Sequence, residues 1–185
     1  MEGNPHFFWE VSRASGVIAF ALLWLSTALG LGITSRASDA FAPRAWVFEM
    51  HKFASLLALA FVGVHTLSLI PDPATDFRPL DLVLPGSAPY RPLAVALGVL
   101  AMYGAVVSAG SFYVKRRIGH RTWRVLHFLT FATFALALYH GVFAGTDTAL
   151  PWMRWVYIAG FWSVFSLTLY RVLTAPEPRP RARPA

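Results

Sequence analysis

The segment from Arg44 to Ile70 limits the folds open to this chain more than any other; it reads RAWVFEMHKFASLLALAFVGVHTLSLI. No charged residue occurs from Phe53 to Val64. A helix of about 20 mostly apolar residues is long enough to cross a bilayer, and it satisfies its own backbone polar groups. The segment is therefore predicted to be a membrane-spanning helix, and it carries two histidines, His51 and His65.

Four further segments have the same character. The chain is 56% hydrophobic and 14% charged, whereas a soluble domain is usually ~45–50% apolar and ~25% charged. The predicted fold class is an all-α, polytopic membrane helix bundle of five transmembrane helices, at 15–33, 45–70, 92–114, 122–145 and 151–173. The predicted organisation is an N-terminal segment (1–14), a transmembrane helical domain (15–174) and a disordered, basic, proline-rich tail (175–185). Because the start of the chain lacks the basic region of a cleavable signal, the first span is expected to be retained.

Lysine and arginine residues cluster at alternate ends of the predicted spans, and this predicts the orientation. The first connection, the third connection and the tail are basic, while the second connection is rich in proline and acid and is predicted to be an exposed loop. We therefore expect a multi-pass protein of the cell (inner or plasma) membrane, with the N-terminus outside and the C-terminus inside. The net charge of +7 is attributed to this topology, and no nucleic-acid partner is expected.

The absence of cysteine excludes several kinds of site. Disulfides, iron–sulfur clusters, thiolate-ligated heme and heme attached covalently to a Cys-x-x-Cys-His motif all require cysteine. Any heme would have to be held by histidine or, more weakly, by methionine.

Four of the six histidines lie within or at the ends of two predicted spans. His51 and His65 lie in span two, and His127 and His140 lie in span four. Ionisable groups at membrane depth are costly and rarely face lipid. A single such histidine is often satisfied by a hydrogen bond to a neighbouring helix, but four at matched positions on two parallel spans favour a ligand-binding role.

Helix geometry predicts how these histidines pair. His51 and His65 fall within ~40° of one helix face and ~21 Å apart along the axis. His127 and His140 are ~140° out of phase on an ideal helix, so a local change in winding, or groups approaching from different sides of span four, is expected. Parallel spans pair His51 with His127 for an inner heme and His65 with His140 for an outer heme. His120 is a possible substitute ligand.

The spacing of the histidines resembles a known family. His-x13-His in one span and His-x12-His two spans later are similar to the ferric reductase-like transmembrane domain. That domain forms the core of ferric reductases and NADPH oxidases, and it is the heme-binding membrane subunit of the bacterial methionine sulfoxide reductase system. The run from Gly119 to His127, GHRTWRVLH, is similar to the G-x-x-x-W-R-x-L-H motif of bacterial members. The resemblance covers residues 46–145.

The resemblance implies a cofactor, its ligands and its partners. It implies two b-type hemes, with one as the other possible number, and the four histidines above as their axial iron ligands. Heme propionates need cations near the membrane surface, and the candidates at the inner heme are Arg44, Lys52, Arg121 and Arg124. Because the chain has no dinucleotide fingerprint, we expect an oxidoreductase subunit without its own FAD/NADPH module. Its electron donor would be a separate flavoprotein reductase or a quinol, and its acceptor would lie on the outer side.

Three alternatives stay open at this stage. The chain could be the heme-bearing membrane anchor of a quinone-linked dehydrogenase, which requires a quinone site. It could be a transporter whose histidines relay protons or bind metal, for which acidic residues inside the spans are expected; Glu49, at a span end, is the only carboxylate near one of the four histidines. It could also be a purely structural subunit with hydrogen-bonded histidines.

Overall fold

The computed structural model describes residues 6–72 and 75–174, and regular secondary structure in this part of the chain is entirely helical. Its five long helices are each long and apolar enough to cross a membrane, which confirms the predicted helical class and indicates a multi-pass membrane protein. The predicted tail, residues 175–185, lies outside the described residues. The helices are α1 (Phe7–Ser35), α2 (Arg44–Leu67), α3 (Pro92–Tyr113), α4 (Lys115–Ala144) and α5 (Pro151–Leu173).

The starts of the helices follow local sequence signals, with one difference from the prediction. α3 and α5 begin at Pro92 and Pro151, where proline is favoured because the first turn leaves its N–H groups unbonded. α1 begins at Phe7, eight residues before the predicted span. The intervening residues contain neither proline nor glycine, and Glu10 in the first turn complements the helix dipole. Much of the predicted N-terminal segment is therefore helix.

The basic third connection is helical rather than a loop. α3 ends at Tyr113 and α4 begins at Lys115, so the basic residues form the first turns of α4. Lysine and arginine are good helix formers, which explains this extension. The chain bends instead at Gly119, whose φ of 79° and ψ of 158° interrupt the helix; this conformation is essentially restricted to glycine.

The helices pack as two antiparallel pairs, with α1 along α2 and α3 along α4. α5 packs against α1 and closes the bundle through an apolar core shared with α4. Extensive backbone contact between α2 and α4 is lacking among the described residues, so a gap runs between these two helices. The core that joins α1, α4 and α5 consists of Phe20, Leu31, Phe134, Met153, Tyr157 and Val164.

The connection between α2 and α3 was predicted to be exposed, and it is instead partly folded. Asp81 has no exposed surface and accepts hydrogen bonds from the backbone and guanidinium of Arg78. Phe77, Leu82 and Ala88 form a small buried cluster beside it. The correction has a simple cause: apolar side chains interspersed among the prolines and acids bury themselves against the helix ends.

Candidate functional site

Histidine pairs bridge the gap between α2 and α4 at two levels. The ring centroids of His51 and His127, the first pair, are 6.1 Å apart, and the ring planes make an angle of 81°. The ring centroids of His65 and His140, the second pair, are 6.0 Å apart, with an angle of 75°. The structure thus brings together the two pairs expected from the sequence, and α2 and α4 run in the same direction. Helical rise separates the two levels by ~20 Å.

Backbone carbonyl groups on neighbouring helices orient three of these four rings. Nδ1 of His51 lies 2.8 Å from the carbonyl oxygen of Ser26, and Nδ1 of His65 lies 2.8 Å from that of Ser12. Nδ1 of His140 lies 2.9 Å from the carbonyl oxygen of Ala94. A carbonyl can only accept, so Nδ1 donates the proton in each bond. Nε2 is left with a free lone pair, which is the state required of a metal ligand.

A glycine lies against each of these three rings. A Cβ atom on Gly16 would lie 2.9 Å from Nδ1 of His65, and one on Gly98 would lie 2.6 Å from Nδ1 of His140. A Cβ atom on Gly30 would lie 3.2 Å from Cε1 of His51. Each ring therefore occupies a seat made of a glycine and a carbonyl oxygen four residues earlier on the same helix. We call this arrangement the glycine seat.

The glycine seats on α1 were missed in the sequence, although a signal for them exists. Ser12 and Gly16 are repeated as Ser26 and Gly30 after fourteen residues, which is also the interval between the two histidines of α2. Two antiparallel helices in close contact present matched repeats to each other when the repeat lengths agree. The fourteen-residue repeat of serine and glycine in α1 therefore identifies the helix that orients His51 and His65.

His127 is held in a different way. Its ring stacks on Trp123 of the same helix, with centroids 5.2 Å apart and an angle of 23°. Among the described residues, buried Nδ1 of His127 and buried Nε1 of Trp123 both lack a hydrogen-bond partner. Trp123 itself lines the cavity between the helices. The ammonium group of Lys115 lies over the ring of Trp123, with Nζ 4.0 Å from the ring centroid.

α4 stays helical from His127 to His140, although these two histidines point in different directions on an ideal helix. Gly119 is the non-helical position in this helix, and it precedes both histidines. The winding change considered from the sequence does not take the form of a non-helical residue between them. His140 bonds to α3 and His127 stacks on its own helix, so the two rings leave α4 in different surroundings and still line one cavity.

One cavity of about 590 Å³ runs along the gap and is lined by all four histidines. The cavity end near the first pair is lined by Lys52, Arg124 and Arg171. The end near the second pair is lined by Arg13 and Asp147, and these two side chains form an ion pair. Of the cations predicted from the sequence, Lys52 and Arg124 therefore reach the cavity. Exposed Arg44 and Arg121 are absent from the described residues that line it, whereas His120 does line it.

The ligands available define the kind of metal group that the cavity could hold. Among the described residues, no cluster of three or more histidine, cysteine, aspartate or glutamate side chains could hold a metal ion. A bare zinc ion usually takes four ligands, so neither pair is sufficient by itself. Two imidazoles that face each other supply only two ligands. A metal bound between them would therefore have to bring its other ligands with it.

Comparison with protein-family models, curated proteins and solved structures finds no match to this chain.

Proposed function

We propose that the chain is a transmembrane cytochrome b that carries single electrons between two hemes, each held by one histidine pair. The observation that carries the proposal is the separation of the rings in both pairs. With metal–nitrogen bonds of ~2.0 Å, as imidazole ligands form, two imidazoles on opposite sides of one metal have ring centroids ~6.3 Å apart. The observed separations are 6.1 and 6.0 Å.

The donor set supports heme rather than a bare ion. A heme brings four of its iron's ligands with it, so the protein would have to add only two, and each histidine pair could supply them. The glycine seats fix the tautomer of three histidines with Nε2 free to bind. The cavity is apolar over most of its lining and lies between helices, where bundles commonly hold cofactors.

When bound, heme supplies reversible one-electron chemistry at its iron. The positions of this chain's residues would determine how the heme binds and what its reduction potential is. His51 with His127 and His65 with His140 would hold one heme each, and two imidazole ligands per iron would favour electron transfer over oxygen binding. The apolar walls exclude water and, together with the hydrogen bonds to Nδ1, set the reduction potentials. Lys52 and Arg124 are the cations placed to pair with propionates at the first pair, and Arg13 lies at the second.

The direction of transfer follows from the proposed orientation. The basic end of the bundle, with the first turns of α4, lies on the cytoplasmic side under the positive-inside rule. The N-terminus is then outside and the C-terminus inside the cell membrane. The donor, a cytoplasmic flavoprotein reductase or a quinol, would then approach the end of the bundle with the first pair, and the acceptor would approach the outer end with the second pair. The resemblance to the ferric reductase-like domain supports this assignment.

The cavity gives less support to a proton-relaying transporter. Its two buried or partly buried carboxylates, Asp81 and Asp147, are bonded to Arg78 and Arg13 rather than to histidines. The histidine rings face each other in pairs instead of forming a chain with these acids.

The direct test is heme content. We expect the full-length protein, purified in detergent after expression with heme supplied, to contain two b-type hemes per chain by pyridine hemochrome assay. His65→Ala and His127→Ala should each reduce the content to about one. His120→Ala is the matched control, because this histidine also lines the cavity but faces no second histidine among the described residues, and it should keep both hemes. A protein without heme would refute the proposal.

A further inference from the structure

We propose that the two histidine pairs hold their groups unequally, so that the second pair (His65 and His140) forms the tight site and the first pair (His51 and His127) the exchangeable one. This inference rests on the proposed heme function and adds an order of affinity to it. Three of the four rings have glycine seats, and the ring without one belongs to the first pair.

The second pair is preorganised on both sides of its gap. His65 is seated on α1 by Ser12 and Gly16, and His140 is seated on α3 by Ala94 and Gly98. Both rings are therefore fixed before any ligand binds, each by a helix other than its own. A ligand that binds two fixed rings loses little conformational entropy on their account.

The first pair is preorganised on one side only. His51 is seated on α1 by Ser26 and Gly30, but buried Nδ1 of His127 has no partner among the described residues. The stack on Trp123 limits the tilt of the His127 ring but does not prevent the ring from turning over. An imidazole can turn over about its Cβ–Cγ bond and keep the same stack, so the stack does not determine whether Nε2 or Cε1 faces the cavity.

The expected size of this difference comes from metal sites in general. Loss of the partner that orients a ligating histidine typically costs 10–100-fold in metal affinity. Charge acts in the opposite direction, because Lys52 and Arg124 can attract propionates at the first pair. Lys52 is already paired with Glu49, and the side chain of Lys52 is 36% exposed. Exposed ion pairs of this kind are worth only about two- to fivefold each, so each cation contributes less than the missing seat removes.

Transfer of heme to an acceptor protein tests the inequality. The full-length protein loaded with heme is mixed with excess apomyoglobin, and the appearance of holomyoglobin is followed by absorbance. We expect two phases of similar amplitude, with rates that differ by ~10–100-fold. His127→Ala should remove the fast phase and leave the slow one. His140→Ala should remove the slow phase. Two equal rates, or loss of the slow phase in His127→Ala, would overturn the inference while the wild-type heme content still supported a cytochrome.

A milder pair of variants keeps the test valid if the alanine variants of the ligands fail to fold. Gly98→Ala pushes a Cβ atom into the seat of His140 and should convert the slow phase into a faster one. Gly110→Ala on the same helix is the matched control, since its Cβ atom would meet nothing within 4 Å, and it should leave both phases unchanged. If the wild-type protein holds one heme, Gly98→Ala should release it faster; an unchanged rate would assign that heme to the first pair and refute the inference.

Discussion

Gly16 of α1 and His65 of α2 are so close that a Cβ atom on Gly16 would lie 2.9 Å from Nδ1 of the histidine. Real Cβ atoms essentially never approach a neighbour below 3.0 Å, so alanine at this position must displace the ring or the helix. The orientation of a ligand candidate on one helix is thus set by the absence of a side chain on another.

This close approach predicts the effect of Gly16→Ala. We expect the variant to lose or weaken the heme at the second pair, because the displaced ring can no longer face His140. Heme per chain should fall from two towards one in the hemochrome assay. Gly63→Ala is the matched control: it adds the same methyl group in α2, two residues from His65, where nothing lies within 4 Å. Equal heme content in both variants would contradict the role of the seat.

Ser12→Ala separates the contribution of the hydroxyl group from that of the carbonyl. The Ser12 hydroxyl lies 3.2 Å from Nδ1 of His65 and donates to the His65 carbonyl at 3.0 Å, but the Ser12 carbonyl accepts from Nδ1 at 2.8 Å. We expect Ser12→Ala to keep its full heme content, because the carbonyl stays in place. The lost hydroxyl bond should lower the free energy of unfolding by about 1 kcal/mol, measured by denaturation in detergent. Loss of heme in this variant would show that the hydroxyl orients the ring.

Asp81 predicts how the connection between α2 and α3 responds to acid. The hydrogen bonds from Arg78 hold the pKa of the Asp81 carboxyl well below its usual value. A depressed pKa in the folded state contributes stability that is fully present above the unfolded value of ~3.9 and is lost as the pH falls below it. We therefore expect the connection to resist limited proteolysis from neutral pH down to about pH 4 and to open in stronger acid.

The matched variant for this prediction is Asp81→Asn, which keeps the shape of the side chain but not its charge. It should weaken the connection at neutral pH and remove the increase in cleavage on acidification. A wild-type connection that is cleaved equally fast at neutral pH and in strong acid would contradict the assignment.

Gly119→Ala tests the bend at the start of α4. Its positive φ is unfavourable for any residue with a Cβ atom, and the space around it is open within 4 Å, so the effect is one of the backbone alone. We expect a loss of ~1–3 kcal/mol in the free energy of unfolding, or a local straightening of the helix. Gly110→Ala, in regular helix, should show no loss. Thermal unfolding in detergent compares them, and equal stability of the two variants would exclude strain at Gly119.

Much of the helical framework could be predicted from the sequence because length and apolarity decide it. The predicted third and fifth spans, 92–114 and 151–173, agree with α3 and α5 to within one residue. The predictions failed where local propensity competes with composition: basic residues after Val114 continue as helix, and the acidic segment around Asp81 folds against the bundle. Charge indicates the surface of a protein, but it does not by itself exclude a helix or a buried carboxylate.

The candidate site divides in the same way. The four histidines and their pairing between parallel helices follow from spacing along each helix, since helical rise and rotation per residue are fixed. The glycine seats cannot be predicted from this spacing. The partners of His65 and His140 belong to other helices and lie 53 and 46 residues away in the chain. The sequence by itself determined a five-helix membrane bundle with two levels of histidine, because these depend on short-range periodicity. Only the tertiary structure decided which helix orients each ring and that His127 alone lacks a seat, because such contacts depend on how closely two helices approach.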